Sequence, residues 1–416
     1  MIKLFVVYSL LESKERIIGN FSVLVNKITE ADSTIEFAEY INSFEKISEQ
    51  SFDNCSGVAI IPATGGSEAV IKEIVNKANL PSIIFANSGF NSFAASLEAY
   101  SFLKHKYRLS FFYWNNPVEL LKRVKDFSIV CSAIQKINCA KIGLIGEPSD
   151  WLLTSKEIES FGEFNTILAK YKTEELVTEI QRSQNDNPDS LELSRLRNGK
   201  LNVDKSSLSD SFAVYAAVKN FTAKNMLDGI TIRCFDLLKN KYTACIAMAM
   251  CNDEGIVSGC EGDLHAMFSM ILGFYLTGEP CWMANPSSID KKRNHVTFAH
   301  CTVPTKFLDQ SVEMEITTHM ESGLSCAIGG AIKKEEVTIF RTGGNFDKLI
   351  AVTGKVVDTK LNNPSLCRTQ AVIKLNCSLD DWVNNTLGNH HIITYGNIKG
   401  MLEEFSSFTG LEFIGL

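Results

Sequence analysis

The run VSGCEGDLHAMFSMILGFYLTG, from Val257 to Gly278, decides how the chain is read. It opens as a short strand end, turns at Gly262 with Glu261 and Asp263 on either side, and continues as an amphipathic apolar helix. In open α/β sheets ligands bind outside the carboxyl ends of the strands, where a helix N-terminus offers free N–H groups and a partial positive charge. Asp263 stands in the N-cap place, which Asp suits, so capping alone accounts for it. Glu261 precedes the cap. An acid between Cys260 and Gly262 in an apolar neighbourhood needs a cation, a hydrogen-bond donor or water.

Upstream, apolar runs alternate with helical pattern: Ile2 to Tyr8, Val58 to Gly66, Ser82 to Asn87 and Arg108 to Trp114 read as strands, with helices from Ser67, Ala94 and Val118. A second series starts with Lys141 to Ile145 and the turn Gly146 to Asp150, after which Trp151 is expected to pack onto the sheet. The polar span Gln184 to Asp210 reads as a surface excursion. A helix from Phe212 to Asn225, the strand DGITIRCF and an apolar helix from Thr243 then lead into the deciding run. Asp236 and Glu261 each close a strand, with one helix between them, so a parallel sheet places both on one edge, facing a common crevice. From His295 the texture changes to short β-rich runs: HVTFAHC, VEMEITT, LSCAIGGAI, EVTIFRT, LIAVTGKVV, QAVIKLN and the closing GNHHIITYG. These read as an antiparallel barrel or sandwich, followed by a helix from Ile398.

The chain has 416 residues, of which 45% are hydrophobic, enough for several cores. A net charge of −7 without a basic run argues against nucleic acid or an anionic membrane as partner and for a small molecule. The twelve cysteines are scattered with no C-x-x-C pair, which excludes a disulfide scaffold and the usual zinc motifs and points to a reducing compartment. The opening MIKLFVVYSLLESKER lacks a small-residue cleavage site and reads as a first strand, and no apolar run is long enough to cross a bilayer; the expected location is the cytoplasm. A G-x-G-x-x-G fingerprint and a G-x-S-x-G elbow are both missing, which disfavours an NAD enzyme and a Ser-His-Asp hydrolase.

Seven histidines leave few choices for an imidazole. His390 and His391 are adjacent on a strand, so at most one faces a given crevice. His300 reads as a buried, hydrogen-bonded ring, and His265, one turn into the helix, as facing water. Asp236, Glu261 and one of the closing histidines make a set of oxygen donors with an imidazole, which suits Mn²⁺, Mg²⁺ or Co²⁺. An ion in such a site grips vicinal hydroxyl and carbonyl oxygens while a carboxylate moves a proton between carbons. Arg233 and Lys291 to Arg293 offer an anion-binding charge, but a solvated charge cluster is the favoured reading.

ATGGSE, SFAASLEA, IGEPSDWLLTS, GCEGDLHAMFSMILGFYLTGEP, VTFAHC and GNHHIITYG, in this order between Gly57 and the end, together resemble the L-fucose isomerase-like proteins, relatives of L-fucose and L-arabinose isomerases. The resemblance implies two Rossmann-like α/β domains followed by a C-terminal antiparallel β-barrel, with boundaries expected at 1–138, 139–290 and 291–416. It implies aldose–ketose isomerisation of a sugar through an enediol at a Mn²⁺ site, in a homo-oligomer, trimeric or hexameric. Carried over, the acidic pair falls on Asp236 and Glu261, with Asp263 as a rival for the second acid, and the closing imidazole on His390 or His391. Asp263, His300, Trp151 and Ser149 are the expected sugar-binding residues. A non-catalytic sugar-binding protein, or another metal-dependent enzyme acting on a sugar or sugar acid, would share the architecture, and convergence of these side chains within roughly 2–2.5 Å of one ion is what separates them.

Overall fold

A computed structural model describes residues 1–185, 196 and 199–416. The chain forms two compact units, one of residues 1–135 with 404–410, the other of residues 136–403 with 411–416.

The first unit is built on a parallel sheet of β1 (Ile2–Val7), β2 (Ile35–Ile41), β3 (Gly57–Pro62), β4 (Ser82–Ala86) and β5 (Leu109–Tyr113), in the order β2-β1-β3-β4-β5. The central strands β1, β3 and β4 are almost wholly buried, which is why they read as continuous apolar runs. β2 escaped the sequence reading because it is an edge strand whose Glu36 and Glu39 break the apolar pattern. Thr64 closes β3's loop by accepting from the Ser9 backbone N–H, and Ser67 is fully buried against the Thr64 carbonyl.

The second unit starts from a four-stranded parallel sheet of β6 (Lys141–Ile145), β7 (Ile167–Tyr171), β9 (Gly229–Ile232) and β10 (Val257–Cys260), ordered β10-β9-β6-β7. β8 (Lys200–Leu201) joins β13 (Glu315–Thr317) and β14 (Ala327–Gly329) in a small separate sheet. Thus VEMEITT and LSCAIGGAI, read as barrel strands, lie outside the barrel. The barrel is β15 (Glu336–Gly343), β18 (His391–Tyr395), β11 (Trp282–Asp290), β12 (His295–His300), β17 (Thr369–Leu375) and β16 (Lys348–Thr359), closed by antiparallel pairing of β15 with β16. A last strand, β19 (Glu412–Gly415), pairs parallel to β16.

Of the expected excursion from Gln184 to Asp210, residues 186–195 and 197–198 lie outside the described residues, and Lys205–Lys224 is a helix capped by Asp204. The Asp204 side chain accepts from the Ser207 N–H, so the polar Asp-Lys-Ser-Ser stretch is a helix start. No helix among the described residues is long and apolar enough to cross a membrane.

The helix of the deciding run spans Leu264–Thr277, and it is not amphipathic: Leu264 to Gly273 are all buried. Within the unit it lies on β9 and β10 on one side and on β15 and β18 on the other, so neither face meets water. His265 is accordingly buried, donating its Nε2–H to the Gly344 carbonyl and stacked on Phe346, not exposed as its helical position suggested.

The strand-to-helix turn uses two left-handed residues in succession, Glu261 at φ 65° and Gly262 at φ 71°. A Cβ on Gly262 would stand 2.9 Å from the Pro148 Cα and 3.0 Å from the Glu147 carbonyl oxygen, both backbone atoms that cannot swing away. Gly262→Ala combines a left-handed penalty of about 1–2 kcal/mol with an overpacking cost of about 1–3 kcal/mol. A loss of roughly 2–4 kcal/mol is therefore expected, read as a lower urea midpoint at unchanged slope; an unshifted midpoint would mean the turn tolerates a side chain.

Candidate functional site

β9 and β10 are adjacent and parallel, with Ile232 opposite Cys260, and β6 follows on the other side of β9. Their carboxyl ends therefore deliver Ser149 and Trp151, Asp236, and Glu261 to one edge of the sheet. The loops leading into β18 and out of β12 supply His390 and His300.

Asp263 is the N-cap of the Leu264–Thr277 helix, accepting from the Ala266 N–H at 3.0 Å. The same carboxylate receives both terminal nitrogens of Arg341 at 3.0 and 3.2 Å, the Ser155 hydroxyl at 3.1 Å and the His390 Nδ1–H at 2.9 Å. Both Asp263 and Arg341 have no solvent-exposed side-chain surface. Burial favours the neutral acid, but Arg341 and the His390 hydrogen bond overcome it and hold Asp263 well below the usual carboxylate range. Arg341 also donates to the carbonyls of His390 and Leu387. A Cβ on Gly388 would lie 2.5 Å from Arg341 Nε, which is why glycine precedes Asn389 and the histidines.

With Nδ1–H pledged to Asp263, His390 turns Nε2 toward Glu261 Oε2 at 3.8 Å, and that buried nitrogen has no hydrogen-bond partner among the described residues. His300 stands edge-on to His390, its Nδ1 bonded to the Thr302 hydroxyl at 2.8 Å. One ligand atom each from Glu261, His300 and His390 lies within 4.8 Å of the others. Burial drives the His300 pKa down to about 3, so its ring is neutral at ordinary pH and free to ligate. A carboxylate with two imidazoles, one of them with an unpartnered nitrogen, is a donor set that fits a divalent transition ion such as Mn²⁺ or Co²⁺.

The expected site residues are thus distributed as follows. Glu261, His300 and His390 converge. His391 points away, packed against Trp382 and Phe298, as alternation along a strand requires. Trp151, expected to pack onto the sheet, is half exposed and donates its indole N–H to Glu261 Oε2 at 2.6 Å. Ser149 donates its backbone N–H to the Glu261 carbonyl, leaving a buried hydroxyl unpartnered. Asp236 sits in a 3₁₀ turn, Cys234–Asn240, with its carboxylate near the Thr173 hydroxyl at 3.4 Å, Arg233 at 3.6 Å and Lys239 at 4.0 Å. Arg233 pairs with Asp150 as well, Lys291 with Asp380 and Arg293 with Asp290. Asp236, expected as a metal ligand, is thus not among the side chains that converge; only its neighbour Phe235 approaches them, its ring meeting Trp151 edge-on at 5.2 Å. Arg341 was not anticipated; the signal was a lone cation inside the apolar strand EVTIFRT, which a buried strand tolerates only with a counter-charge.

No family model matches the chain. It is similar to sulfoquinovose isomerases: 26% identical to that of Clostridium sp. (strain MSTE9) over 216 residues, 49% of this chain and 47% of the relative. It is 24% identical to that of Alkalicoccus urumqiensis over 301 residues, 69% and 65% of the two chains, and 23% identical to that of Priestia aryabhattai over 316 residues, 72% and 70%. The match spans about half of the first relative's length and about two thirds of the second's.

His265 gives the unit a measurable acid sensitivity. Burial lowers its pKa to about 4, so the folded ring stays neutral where an unfolded one gains a proton. Between about pH 6.5 and 4 the unfolded chain binds more protons, and stability falls with falling pH by up to about 1.4 kcal/mol per unit from this ring. From pH 6.5 to 5 the wild type should lose about 2 kcal/mol more than His265→Gln in urea unfolding; parallel losses would place the acid sensitivity elsewhere.

Proposed function

We propose that the chain is a divalent-metal-dependent aldose–ketose isomerase acting on a free or modified sugar, with Glu261 as the acid that moves the proton. The observation that carries the proposal is the convergence of Glu261, His300 and His390 around an unpartnered, buried Nε2. Similarity to sulfoquinovose isomerases supports the reaction class and makes sulfoquinovose, a sulfonated aldose, the first substrate to test.

Glu261, His300 and His390 would hold the ion, with Mn²⁺ first, and Mg²⁺ or Co²⁺ as substitutes. When bound, it would polarise the carbonyl and hydroxyl oxygens on neighbouring sugar carbons. The chain's own residues do the rest. Asp263 accepts the Nδ1–H of His390, fixing the tautomer that leaves the Nε2 lone pair toward the site. Trp151 bonds one oxygen of Glu261 and steadies the carboxylate. The other oxygen takes the proton from the carbon beside the carbonyl and returns it to the neighbouring carbon of the enediol, while the hydroxyl proton passes from one sugar oxygen to the other. Trp151 and Ser149 line the sugar's place, and Asp236 stands as the second acid beyond Phe235. In this proposal the enzyme is a cytoplasmic homo-oligomer, trimer or hexamer.

The test follows aldose–ketose interconversion by NMR in D₂O with Mn²⁺ supplied, reading solvent deuterium at the carbon next to the carbonyl. Glu261→Gln should cut kcat by about 10²–10⁴-fold and abolish deuterium incorporation. Asp236→Asn separates the two acids: a comparable loss makes Asp236 the partner in proton transfer, and a loss under about tenfold, below the usual range for an acid or base, limits it to holding Arg233. Full activity in Glu261→Gln, or in metal-free protein, would overturn the proposal.

A further inference from the structure

A second group of metal-binding side chains lies in the same unit, with no residue in common with the first. Cys245 opens the helix Cys245–Asp253, and Cys301 follows β12 directly. His319 lies in the loop after β13, and Cys367 two residues before β17. The Cys245 and Cys301 sulfurs are 3.3 Å apart, and a nitrogen of His319 lies within 4.8 Å of both. Cys367 packs against the pair and hydrogen-bonds the Cys301 thiol. Three segments thus bring two buried sulfurs and an imidazole within reach of one another, with the half-buried Cys367 beside Cys301. Cys245, Cys301 and His319 are each buried.

The packing explanation, thiols serving as small apolar side chains, accounts for any one of them. It does not account for their convergence with an imidazole. His319 Nδ1 bonds the Ser322 hydroxyl at 2.9 Å, and Nε2 lies 3.2 Å from Glu321. Ligation through Nε2 would displace the Glu321 carboxylate and leave Nδ1 held by Ser322, the arrangement of a metal-ligating histidine. Tetrahedral zinc at about 2.3 Å from each sulfur sets sulfurs about 3.8 Å apart, so the observed pair needs to open by only about half an ångström.

We infer that Cys245, Cys301, Cys367 and His319 form a Cys₃His site for a thiophilic divalent cation of the zinc type, structural in role and independent of the Glu261 cluster. Binding releases the three thiol protons to solvent and leaves thiolates on the ion. No open position is needed, since four protein ligands complete the shell. The ion would lock the segment after His300 to the helix start at Cys245 and the strand entry at Cys367, bracing one wall of the candidate active site from behind.

Co²⁺ alone, added to the full chain under anaerobic reducing conditions, is the probe. One equivalent should raise the near-ultraviolet band of thiolate-to-cobalt charge transfer. That band should be lost in Cys245→Ser and Cys301→Ser but kept in Cys377→Ser and in Glu261→Gln, which removes only the carboxylate of the other set. Absence of the band in wild type, or its survival in both Cys245→Ser and Cys301→Ser, overturns the inference. Should those serine variants fail to fold, X-ray absorption on zinc-loaded Glu261→Gln decides: sulfur neighbours at about 2.3 Å support the site, and a shell of oxygen and nitrogen alone overturns it.

Discussion

The second unit depends on one buried carboxylate. Asp263 caps the helix that lies between the parallel sheet and the barrel, and it is also the counter-ion of Arg341 on barrel strand β15. Its remaining capacity goes to Ser155 and His390. Five donors on one carboxylate repay the desolvation of two charges that have no exposed surface. Removing the acid would leave a guanidinium buried without a counter-charge, a cost of about 3–5 kcal/mol in comparable cases. The sheet, the helix and the barrel are thus registered on one another at a single charged point, and the imidazole that faces Glu261 is oriented by the same contact.

What was readable in the sequence follows from how each element is solvated. Central parallel strands are covered on both faces, so β1, β3, β4 and β6 stand out as apolar runs. Edge strands are not: β2 and β7 carry exposed or half-exposed positions and left no such trace. β11 also went unread. Only Trp282, Met283 and Ala284 of its nine residues are buried, and it runs out into Asn, Pro and Ser. Local β pattern identifies a strand but not its sheet, which is why β13 and β14 were assigned to a barrel they do not join. For the site, the strand-end position of Glu261 and the alternation of His390 and His391 were legible. The contacts of Asp236 were not, because they depend on a 3₁₀ turn that displaces it four residues beyond β9.

Charge inside an apolar strand is the signal that carried most unused information. Arg341 sits in a run otherwise fit for a dry interior, and an arginine there demands a planar, doubly accepting partner. Among the acids beside the deciding turn, only one can be that partner and also cap the helix. Sequence supplied both halves of the pair, separated by 78 positions, and only the closure of the barrel joins them.

The two acids of the turn are therefore not equivalent, and the difference argues for which one does chemistry. Asp263 has both oxygens filled by Ala266, Ser155, Arg341 and His390, so it has no lone pair to offer a substrate without breaking a buried ion pair. Glu261 keeps a single side-chain hydrogen bond, from Trp151, and lies on a partly open surface beside an unpartnered imidazole nitrogen. It also holds a left-handed backbone that glycine would adopt without the roughly 1–2 kcal/mol a side chain costs there. A cap needs no acid at that position, and the helix already has one in Asp263. The strain is retained at the one carboxylate with capacity to spare, where a proton or a cation can be received.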